Sequence, residues 1–362
     1  MPSFLSITCA AVRRILLLLL LLLTRTVASA SLRIFVLVGQ SNMEGKGSMR
    51  HLDALLTNPL TKSTYQHYGI PGNYSQRDDV YIYFQDYEVY RGPLTVGYGT
   101  PHGENFGPEL EFGWIVGDVA AASAAAKESS DDSSDGDVLL IKCAWGGKSL
   151  AVDFRPPSSG TSNYTHCDDE HGCRPYAPSE YGVYYRKTMA AIHSVLENLP
   201  NVGPQHRSYS QYEIAGLVWF QGWNDLINDR MVAEYGTNLA NWIRDMRADL
   251  KTPDLPVIIG EPGQAGPNPQ NDGLPHVALR RQMRKVADQA EFVGTTRYVM
   301  TSVFVNSEGQ SFNGGYHYYG RADTEFLIGR AFGTAMLQLL EDYQPIVRNL
   351  TTTRTGIDVK YE

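Results

Sequence analysis

A hydroxyl, an imidazole and a carboxamide stand far apart in this sequence, each in a setting that suits acyl transfer. Ser41 follows a β-branched apolar run, residues 32–38, and is framed by Gly39, Gln40 and Asn42, with Gly45 and Gly47 just beyond. A serine at such a strand-to-loop turn can serve as a nucleophile beside backbone N–H groups able to hold an oxyanion. The same residue types also build ordinary turns, so two later stretches carry much of the weight. Residues 138–142 form a second apolar run that breaks into Ala144-Trp145-Gly146-Gly147-Lys148-Ser149. Residues 214–220 form a third, ending in Gln221-Gly222-Trp223-Asn224-Asp225. Acyl transfer needs a nucleophile, a base and at least two donors converging on the developing oxyanion. Ser41 can be the first and His317, in the loop before the last helix, the second. A backbone N–H near Gly146 or Gly147, the Asn224 amide and the N–H of Ser41 can supply the donors. Gln40, Gln221 and Glu261 stand beside these groups as candidates to support them by hydrogen bonding. Asn224 could instead cap the following helix, and Glu109 suits a helix N-terminal acid.

The elements needed to bring these groups together follow from the hydrophobic pattern. Short apolar runs at 32–38, 138–142, 214–220 and 257–259 read as strands buried on both faces of a parallel sheet. A further strand is expected at 298–305, and one at 80–84. Helices are expected at 108–126, 181–199, 231–250, 274–290 and 324–342, the first with Pro at its first position. Strands alternating with helices, without an internal repeat, predict one α/β domain over residues 31–345, a doubly wound, mostly parallel three-layer sandwich. Ligands of such folds bind at the carboxyl ends of the strands, where Ser41, Gly146, Gly147, Asn224 and Glu261 fall, with His317 in the loop before the last helix. Residues 48–79 and 85–107 read as long loops, suited to cleft walls. The Thr-rich segment 346–362 reads as a loose tail.

Composition narrows the function. Of 362 residues 43% are hydrophobic, and the net charge is -8, which argues against a general nucleic-acid binder or a ligand of anionic membranes. Arg13 and Arg14 precede an apolar run, and Ala28-Ser29-Ala30 has the form of a signal-peptidase site, so residues 1–30 read as a secretory signal and the mature chain as secreted, off the membrane. Sequons at Asn73, Asn163 and Asn349 agree with that route. In an oxidising compartment Cys167 and Cys173 are the natural disulfide, and Cys143 a buried free thiol. The run His166 to Cys173 matches no standard zinc spacing, and no metal is expected. Trp145, Trp219 and Trp223 flank the glycine turns, as core or as a wall for a sugar.

Gly39-Gln40-Ser41-Asn42-Met43 resembles the first block of the SGNH-hydrolase superfamily, in the form typical of sialate O-acetylesterase-like and carbohydrate esterase family 6 proteins. Ala144 to Leu150 resembles the second block, with its oxyanion glycine, and Trp219 to Asp225 the third, with Asn224 as the oxyanion asparagine. Gly107-Pro108-Glu109-Leu110 and Gly260-Glu261 match further segments, in order along residues 32–342. The resemblance implies a flavodoxin-like fold and hydrolysis of acetyl esters on a carbohydrate, without a cofactor. The last block departs from the pattern: the position three before the histidine, usually aspartate, is Gly314. Glu308, Asn313 or a backbone carbonyl could orient His317 in its place. A carbohydrate-binding pseudoenzyme, or an SGNH esterase or acyltransferase for another ester, remain the alternatives.

Overall fold

The apolar runs become the strands of one sheet because both of their faces are covered. The structure, a computed structural model, describes residues 31–126, 136–168, 172–203, 209, 211–267, 275–307, 310–341, 343, 347–353 and 356–359. The strands are β1 (Ser31–Gly39), β2 (Arg77–Gln85), β3 (Val89–Leu94), β4 (Val138–Ala144), β5 (Gln211–Phe220), β6 (Val257–Gly260) and β7 (Thr296–Val299), with β8 (Val347–Thr353) and β9 (Gly356–Val359) near the C-terminus. In space the order is β7-β6-β5-β1-β4-β2-β3. All but β3 run parallel along this path. The chain builds outward in both directions from β1, so the carboxyl end of β1 is the switch point where an open α/β sheet leaves a crevice.

Helices cover the two faces. On one side lie α4 (Val183–Glu197), α5 (Asp229–Asp249) and α6 (Pro275–Ala287). On the other lie α2 (Met49–Thr57), α3 (Glu109–Ala126) and α7 (Ala322–Leu340). The expected three-layer, mostly parallel α/β sandwich is the observed one. Four segments differ from expectation. The strand expected over 298–305 ends at Val299, and Thr301–Phe304 forms a 3-10 turn instead. The presumed loop 85–107 contains β3, whose sequence Val-Tyr-Arg-Gly-Pro-Leu carries strand breakers tolerated because it is an edge strand. The presumed loop 48–79 contains α2, which buries Leu52, Leu55 and Leu56 on one face. The segment expected to be loose contains β8, which pairs antiparallel with β5 from Gln211↔Asn349 to Glu213↔Val347.

A charged side chain lies at the centre of this sheet. Lys142 of β4 is fully buried. Its Nζ donates to the Glu44 carbonyl at 2.8 Å, the Tyr98 carbonyl at 2.7 Å and Glu109 Oε2 at 2.8 Å. Glu109 Oε1 accepts from the Gly107 N–H at 2.8 Å. Burial pulls the lysine pKa below its ordinary value, and the Glu109 carboxylate opposes that shift. Removing one member of a buried pair leaves the other uncompensated, at a cost of about 3–5 kcal/mol. Lys142→Met should therefore lower the urea midpoint strongly, and Lys142→Met/Glu109→Leu should recover most of the loss. An unchanged midpoint in the single variant contradicts the role of this pair.

Candidate active site

The nucleophile turn begins where β1 meets β5. At Gly39 a Cβ would lie 2.1 Å from the Phe220 carbonyl oxygen, so only glycine permits this approach. Gln40 then turns the chain into α1 (Ser41–Glu44). The Gln40 Oε1 accepts from Gln221 Nε2 at 3.1 Å, Gly222 N at 3.3 Å and Asn224 N at 3.2 Å, tying the turn after β1 to the turn after β5. Gln221 Nε2 also donates to the Lys148 carbonyl at 2.8 Å, reaching the turn after β4. Three strand ends are thus linked through two side-chain amides.

Ser41 is buried, 8% exposed, and His317 reaches it from 276 residues away. The Ser41 Oγ to His317 Nε2 distance is 2.9 Å, and His317 Nδ1 lies 3.1 Å from Asn313 Oδ1. An amide oxygen only accepts, so Nδ1 carries the proton and Nε2 is left to accept from the serine hydroxyl. Asn313 therefore faces the imidazole where an acid was sought. Glu308, the other candidate, lies outside the described residues. Burial pushes the His317 pKa down to about 4; Lys46 adds to the shift and Glu44 opposes it.

An uncommon backbone presents this histidine. His317, Tyr318 and Tyr319 have φ of 49°, 52° and 62°, three consecutive non-glycine residues in the left-handed region. Tyr318 anchors the turn: its buried hydroxyl accepts from the Gly263 N–H at 2.7 Å and is shared with the Thr301 hydroxyl. Glu261 braces the same wall, since its carboxylate accepts from the Tyr298 hydroxyl and, at 3.1 Å, from the Ser302 N–H. Glu261 thus acts on the histidine segment through Thr301 and Tyr318, without touching the imidazole.

The donor side needs one correction. The Gly146 N–H is taken by Glu44 Oε1, so it is not available to an oxyanion. Sequence reasoning missed Glu44, which looked like one more polar residue after Ser41. Gly147 is exposed with φ of 67°, and neither its N–H nor the Asn224 side-chain amide has an acceptor among the described residues. Asn224 is half-buried and begins no cap: the cap of α5 is Asn228, which accepts from Arg230 N at 3.0 Å. Asp225, also missed, is fully buried and accepts from Gln221 Nε2 at 2.7 Å, Leu150 N at 2.9 Å and Ala151 N at 2.9 Å. Burial raises its pKa to about 7 against those hydrogen bonds.

Away from the site, Cys167 and Cys173 are joined across a small hairpin, and Cys143 is a buried free thiol. Trp145 and Trp219 are core, whereas Trp223 is half-buried beside the His276 ring. Asn73 and Asn163 are exposed; the side chain of Asn349 and residues 1–30 lie outside the described residues. Among the described residues no group of His, Cys, Asp and Glu has the arrangement of a metal centre.

A family model described as carbohydrate esterase, sialic acid-specific acetylesterase, matches residues 31–338. Among solved structures the chain is similar to a protein from Arabidopsis thaliana, 15% identical, covering 84% of this chain and 97% of that one with a TM-score of 0.48. It is also similar to a carbohydrate acetylesterase from Xanthomonas citri, 13% identical, covering 86% of this chain and 57% of that one with a TM-score of 0.45. No curated protein sequence matches it.

The burial of His317 makes a direct prediction. Its imidazole, followed by NMR, should titrate near 4 and be neutral throughout the neutral range. A midpoint at the ordinary value of about 6.5 contradicts the dominance of burial over the Glu44 charge described above.

Proposed function

The chain belongs to the family of carbohydrate esterases described as sialic acid-specific acetylesterases, and on that premise we propose that it hydrolyses O-acetyl esters of a carbohydrate through an acyl-enzyme on Ser41. The observation that carries the reading is the unbroken relay from Ser41 Oγ to His317 Nε2 at 2.9 Å and from His317 Nδ1 to Asn313 Oδ1 at 3.1 Å. Ser41 Oγ attacks the acetyl carbonyl carbon while its proton passes to His317 Nε2. The carbonyl electron pair moves onto oxygen, where the N–H groups of Ser41 and Gly147 and the Asn224 amide stabilise it. Collapse breaks the ester C–O bond, and the imidazolium returns the proton to the departing sugar oxygen. Water, deprotonated by the same imidazole, then attacks acetyl-Ser41, releasing acetate and restoring the hydroxyl. Asn313 takes no proton; it holds the ring in the one tautomer that can accept from serine.

A neutral amide in third place has precedent in the Cys-His-Asn arrangement of papain-like proteases. It fixes orientation but adds no negative charge for the imidazolium. That single observation also favours a second reading, a binding protein that has kept the cleft without turnover. Secretion is part of the first reading, supported by the signal-like residues 1–30 and by the Cys167–Cys173 disulfide, which suits an oxidising compartment. No helix among the described residues is long and apolar enough to cross a membrane.

The purified mature chain should hydrolyse p-nitrophenyl acetate and acetylated glycans, and Ser41→Ala should reduce kcat by roughly 10⁴-fold or more. A wild type that binds acetylated glycans but releases no acetate establishes the binding reading. The base acts in its neutral form, so kcat/KM should fall as pH drops through about 4, and activity should persist at mildly acidic pH. Asn313→Asp places a carboxylate against Nδ1 and should move that acid limb upward by about 1–3 units. A limb unmoved by Asn313→Asp contradicts Asn313 as the group that orients the base.

A further inference from the structure

We propose that Glu44 is the positioning residue that offsets the neutral third member of the relay: its carboxylate fixes the turn after β4 and supplies a negative charge that acts on the imidazole through space. This rests on the esterase reading and adds to it a residue with no contact to the reacting atoms. Glu44 ends α1, one helical turn after Ser41, and is 3% exposed. Its two carboxylate oxygens have different partners. Oε1 accepts the Gly146 N–H, and Oε2 meets Lys46 Nζ at 2.9 Å. Its main-chain carbonyl accepts from the buried Lys142 at 2.8 Å. At Gly146 a Cβ would lie 3.3 Å from both carboxylate oxygens, tighter than ordinary contact, so glycine lets the carboxylate close onto the turn.

One residue thus binds the turn that carries the nucleophile to the turn that carries a candidate donor. By occupying the Gly146 N–H, the carboxylate leaves the following N–H, that of Gly147, as a free donor of that loop. The same carboxylate has an electrostatic consequence. The charges felt by His317 are Lys46, which disfavours its protonation, and Glu44, which favours it. Asp86 at the end of the sheet segment from β2, and Lys142 from β4, also interact with the Glu44 carboxylate, while Glu325 of α7 interacts with Lys46 and Lys142. In a Ser-His-Asp triad a touching carboxylate stabilises the imidazolium. Here Glu44 does so across space, partly cancelled by Lys46.

The test is the His317 imidazole titration by NMR, read without substrate, together with kinetics. Glu44→Gln keeps an oxygen for the Gly146 N–H and removes only the charge. It should lower the midpoint by about one unit and reduce kcat about tenfold with little change in KM. Glu44→Asp should restore the midpoint, and Lys46→Met, which removes the opposing ammonium, should raise it. A His317 midpoint unchanged in both Glu44→Gln and Lys46→Met overturns the proposal, even if activity falls. Should Glu44→Gln fail to fold by circular dichroism, Lys46→Met decides alone, a raised midpoint supporting the proposal and an unmoved one overturning it. Because the titration needs no turnover, an inert wild type with the expected shifts rejects the esterase reading and leaves the electrostatic role of Glu44 standing.

Discussion

The ammonium of Lys142 is the constraint on which the site depends. A charge carried to full burial inside a parallel sheet is tolerable only when each of its three donors finds an acceptor. Those acceptors come from three separate segments: the Glu44 carbonyl, the Tyr98 carbonyl and the Glu109 carboxylate. None of the three can move without leaving the ammonium unsatisfied. The turn bearing Ser41 is therefore fixed from below by β4, and from the side by the Gln40 and Gln221 amides that link it to β5. Networks of this kind rigidify when every member is satisfied. A hydroxyl that must meet an imidazole across 276 residues needs that rigidity.

The histidine is held by a different device. Left-handed backbone at three successive non-glycine residues costs free energy that the surroundings must offset. The buried Tyr318 hydroxyl, bonded to Gly263 and Thr301, and the Glu261 carboxylate behind Ser302 provide the support. The strained turn aims His317 at Ser41 and brings Asn313 to the far side of the ring. The ring is thus aimed with a neutral amide against Nδ1, and burial pushes its pKa below the ordinary value.

Much of the fold could be read from the sequence because β1, β4 and β5 are apolar runs ended by glycine turns, and burial on both faces leaves few other options. The meeting of Ser41 and His317 could be expected for the same reason: strand ends and the loop before the last helix converge on one sheet edge. What could not be read depends on contacts distant in sequence. Lys142 looked like the last residue of an apolar run, and nothing local shows that Glu109 and Glu44 meet it. The contact between Asn313 and His317 depends on backbone angles that tyrosines at 318 and 319 would not suggest. Gly146 was expected to offer its N–H, but Glu44, 102 residues earlier, occupies it. β3 was hidden by its Gly and Pro, and α2 by the polar residues between its leucines.

The central claim is that an acetyl group passes through covalent attachment to Ser41. Mixing the enzyme with an acetylated carbohydrate, quenching in acid within a turnover and mapping peptides by mass spectrometry tests it most directly. The account predicts a single acetyl adduct on the peptide containing Ser41, formed and lost at rates consistent with acetate release. Acetate released with no adduct at Ser41, or an adduct on a different residue, would contradict it.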